Sequence, residues 1–266
     1  MKTTMIAMTL FASAASAVMA NQINKASDIT YEFLVELGEK GGYLDYLRHM
    51  NKLLSHKKAR TFLEFGAGYQ TKYFLDSCRK VISVDFITPS YTPYTSEDGV
   101  MNCLNLYRDF SNWIPLIYFS GYQGDVNWAP YKYLGSDHLF RANGYQASTL
   151  QNYSKIDGFY LVELNAFLSN LLRYHKVDVA LVNPRMYLRG DIVTLLFGKV
   201  PVIMAHDTTV RIPGKKDDIY GYSRIETPSD YEEIYLPIGS GTTVWISKKD
   251  DFKELIEELK IYAKQF

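Results

Sequence analysis

The chain has 266 residues, 47% of them hydrophobic, with 29 basic and 29 acidic side chains. That length and apolar content suffice for one sizeable core, so a single domain is expected. With a formal net charge of zero and its lysines and acids scattered, the chain offers no basic stripe for a phosphate backbone, and nucleic acid is disfavoured as a partner.

The first residues read as a targeting segment. Lys2 supplies a positive start, Met5–Ala17 an apolar run, and Val18-Met19-Ala20 the small residues that a signal peptidase reads before Asn21. This order predicts a signal peptide over 1–20 and an exported domain over 21–266, periplasmic or secreted; without it the chain would be cytoplasmic. The run is too short and too weakly hydrophobic for a stable membrane span. The two cysteines, Cys78 and Cys103, are open to two readings, a pair formed in an oxidising compartment or two buried thiols.

Beyond the leader, Phe33, Leu34 and Leu37, then Tyr43, Leu44 and Leu47, fall at helical spacing on either side of Gly41-Gly42. Two short helices are therefore expected within Asp28–Leu54. Thr61–Asp85 reads as strand, tight turn, helix and strand. Thr61–Phe65 is a short apolar run fit for a buried parallel strand. Gly66 and Gly68 bracket Ala67, so the backbone can turn sharply and a ligand can approach without meeting a Cβ. Thr71–Cys78 starts a helix whose first amides face the same crevice. Val81–Val84 is a second strand, and Asp85 ends it about 20 residues after Glu64, where nucleotide-type folds place a carboxylate for a ribose diol.

A polar loop with Pro89 and Pro93 follows, then a helical stretch over Met101–Phe110. Trp113–Phe119 is a third strand, and Pro115 puts it at a sheet edge. The insertion near 121–144, with Trp128 and Pro130, reads as an aromatic-rich packed flap. Many of the 22 tyrosines lie between Tyr91 and Tyr160. They are either half-buried anchors of loops or an aromatic wall for a sugar or ring substrate.

Phe159–His175 has the pattern of an amphipathic helix. Val177–Val182 is a fourth strand ending at Asn183-Pro184, Asp191–Phe197 a helix, and Val200–Ala205 a fifth strand ending at His206-Asp207. Tyr231–Ile238 and Thr242–Ser247 form a hairpin around Gly239-Ser240-Gly241. Asp250–Phe266 closes the chain as an amphipathic helix with Phe252, Leu255, Ile256, Leu259 and Tyr262 on one stripe. Alternating strands and helices give an α/β fold, a doubly wound, mostly parallel sheet with a C-terminal antiparallel hairpin.

Glu64-Phe65-Gly66-Ala67-Gly68 resembles motif I, E/D-x-G-x-G, of the class I S-adenosylmethionine (SAM) methyltransferases. A dinucleotide turn would carry a third glycine where this chain has Thr71. The closing hairpin after five parallel strands is similar to the same superfamily, and the resemblance spans about Asp28–Ser247. It implies SAM as the cofactor, with Gly66, Ala67 and Gly68 at the turn and Asp85 on the ribose hydroxyls. Glu64 would orient either the turn or the amino group of the methionine part. Strand-end capping is the other reading of both acids.

Ligands of open α/β sheets sit outside the carboxyl ends of the strands, which draws attention to Asn183, His206 and Asp207. Val202–Thr208, V-I-M-A-H-D-T, is similar to the fifth-strand ending of small-molecule and sugar O-methyltransferases. The resemblance implies that His206 and Asp207 face the acceptor, one of them taking its hydroxyl proton; alternatively the pair only forms a turn. Metal-dependent members carry an acid where this chain has Asn183, so no metal is expected. Arg185 and Arg189 could hold an anionic acceptor, or Arg189-Gly190-Asp191 could simply begin a helix. The function implied is SAM-dependent methylation, on oxygen, of a small-molecule or carbohydrate acceptor. The alternative is an exported, non-catalytic protein binding a ligand or partner on a methyltransferase scaffold. An export signal leads away from where SAM is normally made, and Gln70 and Asn183 depart from the family pattern. The oligomeric state is not legible.

Overall fold

The computed structural model describes residues 23, 25–41, 46–57, 60–87, 103, 106–119, 155–156, 159–160, 168–169, 171–184, 189–211, 218, 220–237 and 239–265. The expected leader over 1–20, the insertion near 121–144 and Arg185 lie outside them.

Helices α1 (Tyr31–Gly41) and α2 (Leu47–Lys57) precede β1 (Thr61–Phe65), α3 (Thr71–Ser77), β2 (Lys80–Ile87) and β3 (Trp113–Phe119). Then come β4 (Val179–Val182), α4 (Arg189–Leu196), β5 (Val202–His206), the hairpin strands β6 (Tyr231–Leu236) and β7 (Thr242–Ser247), and α5 (Lys253–Ala263). The seven strands form one sheet in the order β3-β2-β1-β4-β5-β7-β6. β1 to β5 pair in parallel, and β7 runs antiparallel to both β5 and β6. This order, with the last strand inserted antiparallel beside β5, is that of the class I methyltransferase-like fold.

Both sheet faces are covered, which is why the strand sequences are continuous apolar runs rather than alternating ones. Phe62, Val81, Leu181 and Met204 pack under α1, α2, α3 and α5, where Leu34, Met50, Phe74 and Leu259 are buried. Their neighbours Leu63, Ile82, Val182 and Ile203 point to the other face, against Ile192, Val193 and Leu196 of α4, as the two-residue pleat requires. Pro115 pairs with Ser83 in β3, an edge strand, where its missing N–H costs no ladder bond.

Several expectations shift. Asp85, expected to end the second strand, lies two residues inside it, because the ladder with β3 runs on to Ile87. His206 is the last residue of β5 rather than the residue after it, because it continues the ladder opposite Thr242. The helix expected over Phe159–His175 is replaced at its start by a two-residue strand, Phe159–Tyr160, paired antiparallel to Lys155–Ile156; helix persists at Leu168–Ser169 and Leu171–Tyr174. The terminal helix begins at Lys253 after a 3₁₀ turn over Asp250–Phe252. Cys78 and Cys103 are buried thiols without a disulfide between them, and burial pushes the Cys78 thiol up to about 12. Among the described residues no helix is long and apolar enough to cross a membrane.

Candidate active site

The carboxyl ends of β1, β2, β4 and β5 open on one edge of the sheet, the edge where parallel α/β sheets bind ligands. At the mouth of β1 the chain turns through Gly66, whose φ of +93° lies in the left-handed region that glycine enters without strain. A Cβ at this position would stand 2.7 Å from the Asn183 carbonyl oxygen. The glycine is thus demanded twice, by conformation and by the close passage of the end of β4. The Gly66 amide donates to Val84 O at 2.9 Å and the Asn183 amide to Phe65 O at 3.1 Å, lashing the turn to both flanking strands.

Glu64 braces this turn from below. It is fully buried, and one carboxylate oxygen accepts from Thr71 Oγ1 at 2.7 Å and from the Ser83 hydroxyl. Thr71 Oγ1 in turn accepts from the Gly68 amide at 3.0 Å, and Trp113 Nε1 donates to Ser83 Oγ at 2.8 Å. One polar chain therefore runs from β3 through β2 and β1 to the second glycine. Two more side chains close on the turn. Gln70 Nε2 donates to Gly66 O at 3.0 Å, and its side chain lies where a Cβ on Gly68 would fall. The Tyr107 hydroxyl donates to the carbonyls of Gly68 and Tyr69 at 3.3 and 3.2 Å, and burial raises its pKa well above the ordinary phenol value. Asp85 occupies the carboxyl-terminal part of β2, opposite Ile117 of β3.

The mouths of β4 and β5 are joined by Arg189. Its side chain is only 4% exposed. Nε donates to Pro184 O at 2.6 Å, and Nη1 donates to His206 O at 3.3 Å and to Asp207 Oδ2 at 2.7 Å. The guanidinium lies over the Tyr220 ring, 3.8 Å from its centroid. The Tyr222 hydroxyl adds a second bond to His206 O at 2.7 Å. Asp207 has a φ of 62°, the one positive value outside glycine among the described residues, and Asp tolerates that region better than most side chains. The turn brings its carboxylate back beside its own neighbour, with Oδ1 at 3.4 Å from His206 Nδ1. Burial opposes ionisation of Asp207, but His206, Arg189 and Ser240 outweigh it and hold the carboxyl well below the usual carboxylate range.

The sequence-selected residues thus fall into two groups. Glu64, Gly66, Ala67, Gly68 and Asn183 meet at the mouths of β1 and β4; Arg189, His206 and Asp207 meet at the mouth of β5. Arg189 lies under the surface as a clamp between strands, and His206 is 1% exposed, whereas the Asp207 side chain remains 28% exposed. Thr71, Ser83, Tyr107, Tyr222 and Ser240 were not singled out by sequence. Only Thr71 carried a signal, standing at the first turn of a helix, three residues after Gly68. Among the described residues no group of His, Cys, Asp or Glu could hold a metal ion.

No protein-family model and no curated protein sequence matches the chain. Solved structures do. A Staphylococcus aureus protein described as a caffeoyl-CoA O-methyltransferase shares 12% identity at a TM-score of 0.44, over 81% of this chain and 91% of that one. A methyltransferase from Geobacter sulfurreducens shares 12% identity at 0.43, over 88% and 96%. A Podospora anserina methyltransferase solved with SAH shares 11% identity at 0.41, over 76% and 79%. The fold assignment itself rests on the strand order.

Proposed function

We propose that this chain is a SAM-dependent methyltransferase acting on an oxygen of a small-molecule or carbohydrate acceptor. The observation that carries the reading is the braced glycine turn at the mouth of β1 in a sheet of this order. The turn fits the cofactor in one checkable respect. Gly66 turns the chain at a φ of +93° at the carboxyl end of β1, the sheet edge where such folds take their ligand, and the Glu64–Thr71–Gly68 bonds hold that turn in shape.

Bound SAM supplies a methyl group made electrophilic by its sulfonium. Gly66, Ala67 and Gly68 would hold the methionine part, and Asp85 the ribose hydroxyls. Glu64 acts at one remove, setting the turn through Thr71 rather than touching the cofactor. Arg189 fixes the separation of the β4 and β5 mouths and keeps Asp207 ionised. That makes Asp207 a weak proton acceptor by itself and a good charge partner for His206. Asn183 and Arg185 remain candidates for acceptor contact.

One observation favours the second reading, a non-catalytic binding protein. The Gln70 side chain folds into the turn itself, bonded to Gly66 O. Radiolabelled SAM offered with 3,4-dihydroxybenzoate, glucose or bulk RNA separates the possibilities. Label on either small molecule supports the proposal. Label confined to RNA overturns the acceptor class, and SAM binding without any transfer favours the binding protein.

A further inference from the structure

His206 stands at the mouth of β5 yet cannot meet an acceptor directly, because its imidazole is 1% exposed and the Tyr46 ring packs on it with centroids 5.0 Å apart. Its Nε2 faces the Ser240 hydroxyl at 3.0 Å. Ser240 belongs to the turn joining β6 to β7, between Gly239 and Gly241, whose φ values of 58° and 80° are those glycine adopts freely. Because His206 pairs with Thr242 at the start of β7, this turn lies at the same sheet edge as the glycine turn. Thr208 and Thr209 pin it there, their amides donating to the Gly241 and Ser240 carbonyls at 3.1 and 3.2 Å. Ser240 is itself partly exposed. The buried His206 imidazole thus lies between two partly exposed groups, the Ser240 hydroxyl at Nε2 and the Asp207 carboxylate at Nδ1, and Ser240 also stands close enough to Asp207 to help hold it ionised.

We propose that Ser240 is a proton relay, passing the acceptor's hydroxyl proton to the buried His206. The relay rests on the methyltransferase reading and deepens it. With Nδ1 protonated toward Asp207, Nε2 holds the lone pair and the Ser240 hydroxyl donates to it. In the transfer, the acceptor O–H bond breaks and its proton goes to Ser240 Oγ as the serine's own proton moves to His206 Nε2. The electron pair left on the acceptor oxygen forms the new bond to the methyl carbon, and the carbon–sulfur pair returns to sulfur. The imidazolium that remains is balanced by Asp207, whose ionised form His206 itself and then Arg189 favour.

The first test needs no acceptor. Nitrogen-15 spectra of the His206 ring in the wild-type chain are expected to show the neutral, Nδ1-protonated tautomer. Ser240→Ala should move the Nε2 resonance and relax the tautomer preference, while Ser240→Thr, which keeps a hydroxyl, should retain the wild-type pattern. Thermal melts followed by circular dichroism check that each variant is folded. On whichever of 3,4-dihydroxybenzoate and glucose is methylated, Ser240→Ala should lower kcat by about 10²-fold or more. The KM for SAM should stay unchanged, and threonine should restore the rate. Identical His206 resonances in wild type and Ser240→Ala, with SAH bound by both in calorimetry, would overturn the relay alone. Absence of SAH binding to the wild-type chain would remove the methyltransferase reading and the relay together.

Discussion

Arg189→Met removes the clamp between β4 and β5 while keeping an unbranched side chain of similar reach. Three hydrogen bonds disappear, to Pro184 O, His206 O and Asp207 Oδ2, along with the stacking on Tyr220. Breaking a buried ion pair from one side costs about 3–5 kcal/mol. Asp207, at 28% exposed, can still draw water, and His206 O keeps the Tyr222 hydroxyl, so the lower end, about 3 kcal/mol, is expected. Urea unfolding at neutral pH should show the midpoint falling at unchanged slope. The pH dependence has a definite sign. Asp207 has a depressed folded-state pKa, so its contribution is present above its unfolded value of about 4 and is lost as pH falls through the folded value. The gap between wild type and Arg189→Met should therefore be full at neutral pH and shrink only in acid, below about pH 4. In the double variant with Asp207→Asn, the two losses should fall well short of additive. A loss within about 0.5 kcal/mol, the scale of an ordinary surface change, or strict additivity would refute the clamp.

Three further outcomes follow from the same contacts. Gly66→Ala and Gly198→Ala both place a side chain at positive φ, at a cost of about 1–3 kcal/mol, but only Gly66 meets backbone, since nothing lies within 4 Å at Gly198; melting temperatures should fall clearly further for Gly66→Ala, and equal falls would contradict the close passage of Asn183. Thr71→Val should lose about 1–3 kcal/mol in chemical unfolding, the cost of depriving a buried carboxylate and an amide of one partner, whereas Thr71→Ser should retain most of it; a neutral Thr71→Val would show that Glu64 does not brace the turn. Intact-mass measurement of the protein from its native host should find a chain beginning at Asn21, and recovery of the full-length soluble chain would remove the export reading.

Much of the fold is legible in sequence because both sheet faces are buried. Short apolar runs bounded by glycine, proline or a polar pair mark β1, β2, β4 and β5 directly, and Gly239-Ser240-Gly241 marks the hairpin. The glycine turn is legible for the same local reason. What escaped depends on partners far apart in the chain. Nothing near Tyr107 announces that its hydroxyl reaches Gly68, 39 positions away, and Ser240 stands 34 positions from His206. Arg189 reads in sequence as a helix start or a holder of an anionic acceptor, and its bridging of two strand mouths becomes visible only when β5 is laid beside β4. The sequence pattern ends β5 at Ala205, whereas the backbone of His206 continues the ladder with Thr242 and its ring is roofed by Tyr46. Phe159–Tyr160 joins the apolar pattern of the segment that follows it, but two adjacent aromatic residues suit a short strand equally well.

The most direct measurement is isothermal titration of the purified domain with SAM and with SAH, wild type beside Asp85→Ala. Saturable one-site binding of both ligands is expected. Asp85→Ala should weaken it by about 1–3 kcal/mol, the scale of a lost charge-assisted hydrogen bond, in a protein whose circular dichroism is unchanged. A folded wild-type chain that takes up neither ligand would contradict the methyltransferase reading.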